Sequence, residues 1–150
     1  MNHPLISNRS AGCVGAAEFW LPRILPWISS KTDSRGGYLC VADLTSGFPL
    51  LIQLIGSARL DKMSKYFELC QEKALRLAQN PKHMTSWESR DETQNMYGGA
   101  IRQAEKIISF SGLTEEADEA LSLRVGNCIK PETILGSRVN ELYWLANRNC

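Results

Sequence analysis

The chain has 150 residues, 43% hydrophobic and 22% charged, with 17 basic and 16 acidic residues and a formal net charge of +1. This length and composition fit one globular domain with a buried core. The near-neutral balance excludes the strongly basic character that drives bulk binding to nucleic acid or anionic membranes.

Residues 1–13 read as a loose, polar lead-in. Residues 14–29, VGAAEFWLPRILPWIS, carry the apolar payload of a helix, but Pro22 and Pro26 each lack an N–H. A regular helix through both is not expected, and a kinked segment packed on the core is. Its Trp20 and Trp27 could instead form a dimer or partner surface.

After a polar loop at 30–37, Tyr38–Leu44 and Pro49–Ile55 are β-type runs joined by turn residues Thr45, Ser46 and Gly47. They predict an antiparallel hairpin. The clearest helix spans 61–79. Met63, Phe67, Cys70, Ala74 and Leu77 fall on one face, while Lys62, Lys65, Glu68, Glu72 and Arg76 cover the remainder. Residues 81–97 have no period and read as a long loop.

The strands Gly99–Arg102 and Lys106–Ser111 follow, separated by a turn near 103–105. Gly112 permits a sharp reversal, Thr114 is a good N-cap, and Glu115, Glu116 and Asp118 suit the positive end of a helix. Ala117, Ala120, Leu121 and Leu123 should face inward, with Gly126 as a stop. A last helix begins at Pro131, with Leu135, Val139, Leu142 and Ala146 on one face and Tyr143 and Trp144 widening it. Hairpins with helices between them predict an α+β fold on an antiparallel sheet. The expected organisation is a single domain over 1–150. Residues 1–37 form an extension with a broken helix, 38–126 a core, and 127–150 a C-terminal helix.

The five cysteines, Cys13, Cys40, Cys70, Cys128 and Cys150, are widely separated and form no CxxC or Cys/His ligand spacing. A reducing compartment is the simplest setting. No apolar run reaches the roughly 18–20 residues needed to span a bilayer, and no signal peptide stands out. A cytoplasmic protein with no membrane and no nucleic-acid partner is therefore expected.

Several motifs, in order, resemble the haem-degrading-like family that includes GlcG, HbpS and the C-terminal domain of PduO. These are Val41-Ala42-Asp43, Ala58-Arg59-Leu60-Asp61, Lys73-Ala74, Gly98-Gly99, Ser111-Gly112, and the acidic helix start Thr114-Glu115-Glu116-Ala117-Asp118. The resemblance covers about residues 38–123. It implies a profilin-like antiparallel sheet flanked by helices, often in a homo-oligomer and sometimes binding haem or another tetrapyrrole.

Candidate chemistry is sparse. His83 could ligate haem, or be an exposed loop histidine. Met84 and Met96 could add a thioether ligand or simply fill gaps. Lys73 gains interest from the family; by pattern it flanks the buried stripe and could snorkel. Glu68 and Glu72 could approach an iron ion, but a solvated face explains them and no metal site is expected. Gly98-Gly99 could bring backbone amides to an anion, or form a turn. Neither Ser109 nor Ser111 has a base nearby in sequence, and no catalytic residue can be named.

Lys73, His83, Gly98 and Gly99 are thus the expected pocket of a small-ligand binding module, with haem as the possible cofactor. The alternative is an interaction or oligomerisation module using Trp20, Trp27, Tyr143 and Trp144. A haem-degrading-type enzyme is the third reading.

Overall fold

The computed structural model describes residues 4–103 and 105–126, with side chains from residue 12 onward. The expected helix at 131–150, with Tyr143 and Trp144, lies outside the described residues. The elements are α1 (Pro4–Ile28), β1 (Arg35–Asp43), β2 (Pro49–Ser57), α2 (Leu60–Ala78), β3 (Ala100–Arg102), β4 (Lys106–Ser111) and α3 (Glu115–Gly126). Between α2 and β3 lie two 3₁₀ turns, Ser86–Ser89 and Glu92–Gln94.

The four strands form one antiparallel sheet in the order β2-β1-β4-β3. Tyr38 pairs with both Leu54 and Ser111, so β1 sits centrally between the N-terminal hairpin and β4. Strand alternation sends Leu39, Val41, Ile108 and Phe110 to one face, where they pack with α1 and α3. Cys40, Ala42, Ala100 and Ile107 face the other way, against Cys70, Ala74 and Leu77 of α2. The result is the expected α+β arrangement, an antiparallel sheet with helices on both faces.

The N-terminal segment corrects the sequence reading. In place of a lead-in and a broken segment, one helix runs from Pro4 to Ile28 with Pro22 and Pro26 inside it. Ala17, Leu21, Ile24 and Ile28 are buried at helical spacing, whereas both prolines are exposed. Each proline deprives the carbonyl four residues earlier of its intrahelical donor. On the solvent face water can serve that carbonyl, and burial of the opposite face offsets the propensity cost.

Among the described residues no helix is long and apolar enough to cross a membrane. Cys40 and Cys70 are buried free thiols.

The aperiodic segment after α2 is a well-tied loop. Thr85 and Glu88 form a capping box: Thr85 Oγ1 accepts from the Trp87 N–H at 3.2 Å, and Glu88 Oε2 accepts from the Thr85 N–H at 3.1 Å. Arg76, expected on the surface, is buried and donates to the Ser86 carbonyl at 2.7 Å, the Tyr97 carbonyl at 2.6 Å and Ser89 Oγ at 2.6 Å. Its Nε also meets Glu72 at 2.7 Å. The guanidinium's fan of donors satisfies loop carbonyls that would otherwise be buried without a partner. This anchoring delivers Gly98 and Gly99 to the start of β3.

Candidate functional site

The β4–α3 connection folds over the side of α2 and leaves a cleft of about 390 Å³. Its floor holds Lys73 and Asp118, both essentially fully buried. Lys73 Nζ lies 3.1 Å from Asp118 Oδ2 and donates to the Phe110 carbonyl at 2.8 Å. Asp118 Oδ1 accepts from the Leu113 N–H at 2.9 Å.

An ammonium has three N–H donors. Two of those on Lys73 are committed to Phe110 and Asp118, and the third has no acceptor among the described residues. Lys73 is therefore a buried charge on the cleft floor, which corrects the expectation that its head reaches out to solvent.

The double glycine makes this possible. Gly99 has φ near +136°, and a Cβ there would stand 2.6 Å from Lys73 Nζ and 2.8 Å from the Phe110 carbonyl oxygen. A Cβ on Gly98 would meet the Trp87 ring at 2.5 Å. The Gly99 carbonyl is held by Ser122 Oγ at 2.7 Å and the Phe110 N–H at 3.2 Å. The pair is thus a close-packed junction for Lys73.

The acids that open α3 have separate roles, beyond favouring its positive end. Asp118 is desolvated by burial, and its pKa is pushed up to about 6 despite Lys73 and the backbone donors. Glu115 is also partly desolvated, but Arg90 and the Gly98 N–H together outweigh that and its pKa falls below the usual range. Arg90 grips it through Nε and Nη2, each at 2.8 Å, and the Gly98 N–H adds a bond of 2.9 Å. Arg90 also lies over the Trp87 ring at 4.7 Å. Glu116 is exposed at the rim with Lys65. Tyr66 and Tyr97 flank the opening, and burial raises the Tyr66 pKa.

The structure therefore brings Lys73, Gly98 and Gly99 together and leaves His83 apart. His83 follows α2 and sits at the far end of β3, where its carbonyl accepts from Arg102 Nε at 2.8 Å. It borders a separate depression of about 280 Å³ with Gln79, Asn80, Pro81 and Lys82. Its Nδ1 has no hydrogen-bond partner among the described residues.

Trp20 and Trp27 are partly buried against their own core, and the Arg124 guanidinium lies 3.7 Å over the Trp20 ring. Glu72 is engaged by Arg76. Among the described residues no group of three His, Cys, Asp or Glu side chains converges as metal ligands would.

Asp118, Glu115, Arg90, Tyr66 and Tyr97 were not expected at the site. One signal was available: Asp118 lies three residues before Leu121 and seven before Val125, on the buried side of α3. A charge on an inward stripe requires a partner.

No protein-family model matches the chain, and no curated protein does. Among solved structures it is similar to the Klebsiella pneumoniae protein ORFY, of family DUF336. The identity is 16%, with 77% of this chain and 90% of that chain covered, and the TM-score is 0.38. A likeness this loose transfers no site residue to the present chain.

Proposed function

We propose that the protein is a small-molecule binding module whose site is the cleft between α2 and the β4–α3 connection. The observation that carries this reading is the buried Lys73–Asp118 pair with one ammonium N–H uncommitted. Burying an ion pair is costly, and an apolar pair of similar size would serve packing as well or better. A charged pair on the floor of a cleft within the usual size range for ligand pockets has a use that packing alone does not supply.

Calorimetric titration with a panel of small metabolites tests the reading. Binding should be saturable and lost in Lys73→Met, with the fold verified by circular dichroism. Equal binding by the variant refutes it.

Haem remains a ligand to be tried within this proposal. A Soret shift that saturates and disappears in His83→Ala would put a tetrapyrrole at His83 and away from the cleft.

A second reading, self-association, is favoured by one observation. The edge strand β2 has no charged side chain, and Phe48 beside it and Leu50 on it are exposed. An uncharged edge lacks the features that usually discourage strand pairing. The occupant we propose is the β2 of a second copy. Light scattering should show a dimer that Leu50→Lys dissociates, and a monomeric wild type would refute this reading.

A further inference from the structure

The charges around the cleft cancel in pairs, and this cancellation limits what the cleft can take. Lys73 is neutralised by Asp118 on the floor. Glu115 is paired with Arg90 behind the wall, which also meets the solvent-exposed Glu92 at 2.7 Å. Lys65 and Glu116, one of each sign, remain on the exposed rim. Counted together with Arg90 behind the wall, the cations Lys65, Lys73 and Arg90 match the carboxylates Glu115, Glu116 and Asp118, and each buried charge is already engaged, so none is left to compensate an ionic ligand. An anion entering the floor would lose hydration and find the buried cation there, Lys73, already engaged by Asp118. A cation would meet Lys73 from its uncommitted side.

A neutral ligand avoids both costs. One oxygen acceptor matches the free Lys73 N–H in a charge-assisted hydrogen bond. Thr114 and Ser111 bring hydroxyls to the same cleft. Tyr66 and Tyr97 supply partly apolar walls that can pack against a carbon skeleton.

We propose that the cleft selects uncharged, oxygen-bearing small molecules, amides or alcohols, over carboxylates and amines of the same size. This inference rests on the cleft being the binding site. It adds a ligand class, set by charge balance, with Lys73 as the donor to the ligand oxygen.

The test is a fragment set in which each skeleton is present as an amide, an alcohol, a carboxylate and an amine, screened by ligand-observed NMR. Hits are placed by amide shifts at Gly112 and Leu113. Uncharged members should dominate, with matched carboxylates about tenfold weaker.

Asp118→Asn removes the counter-charge of Lys73 and should raise carboxylate affinity about tenfold, reversing the preference. Glu116→Gln, at an exposed position that folding tolerates, should move the preference the same way by a smaller factor. Carboxylates or amines that outbind the uncharged members at the wild-type cleft would overturn the ligand class and leave the cleft as the site. Unchanged preferences in Glu116→Gln and Asp118→Asn would overturn the charge-balance argument. Absence of any fragment from the cleft would overturn both this inference and the reading beneath it.

Discussion

Replacing Asp118 with asparagine removes a carboxyl whose pKa burial pushes from 3.8 up to about 6 against the pull of Lys73. The folded state then holds this proton more tightly than the unfolded chain does. Below 3.8 the group is protonated in both states, and above about 6 it is ionised in both. Between those values the folded state binds more protons, so this group lowers stability as pH rises. The difference from 3.8 to about 6 corresponds to about 3 kcal/mol, at about 1.36 kcal/mol for each unit of pKa. This direction is opposite to that of Asp43, whose pKa is lowered by hydrogen bonds from the Ser46 N–H and hydroxyl. Urea unfolding of wild type and Asp118→Asn, followed by tryptophan fluorescence across this pH window, isolates the contribution, because other carboxyls titrate alike in both proteins. The wild type should lose about 2–3 kcal/mol relative to the variant as pH rises through the window. Parallel pH profiles would refute the assignment of Asp118 as a desolvated acid.

Gly99→Ala places a methyl against Lys73 Nζ and the Phe110 carbonyl at a positive φ, and should cost about 2 kcal/mol or more in chemical denaturation. Arg76→Leu leaves the Ser86 and Tyr97 carbonyls without their donor. It should destabilise by about 2–4 kcal/mol and raise hydrogen exchange across residues 86–97, as expected for loss of a buried, multiply bonded charge. Pro22→Ala restores a donor inside α1 and should raise stability by about 1–3 kcal/mol; a loss would mean that α1 is not a continuous helix there. Phe48→Ser, at a side chain 68% exposed, should leave monomer stability within about 0.5 kcal/mol in thermal melts.

The strands and α2 were legible because their signals are local. The β-type runs 38–44 and 49–55 with their turn residues, and the three- and four-residue spacing of Cys70, Ala74 and Leu77, require only neighbouring positions. The continuity of α1 was not legible, because a proline rule judges the backbone alone. What decides the matter is which face of the helix is buried, and that is fixed by a sheet formed later in the chain. Lys73 falls three residues after Cys70 and four before Leu77, so its inward position was readable. Its partner was not, since Asp118 lies 45 residues away and no periodicity links them. His83 was grouped with Lys73 by residue type and family resemblance, yet β3 runs between Gly99 and Arg102 and separates the two. Arg76 was placed with the exposed charges because the loop it anchors has no pattern that would reveal a need for donors.

The most direct test of the cleft as a binding site is amide shift mapping of the ¹⁵N-labelled protein, titrated with the tightest binder from the small-molecule panel. The account predicts saturable shifts concentrated at Gly98, Gly99 and Gly112–Thr114, abolished in Lys73→Met. Shifts centred on His83 and Arg102, or on the residues around Trp20 and Trp27, would contradict it.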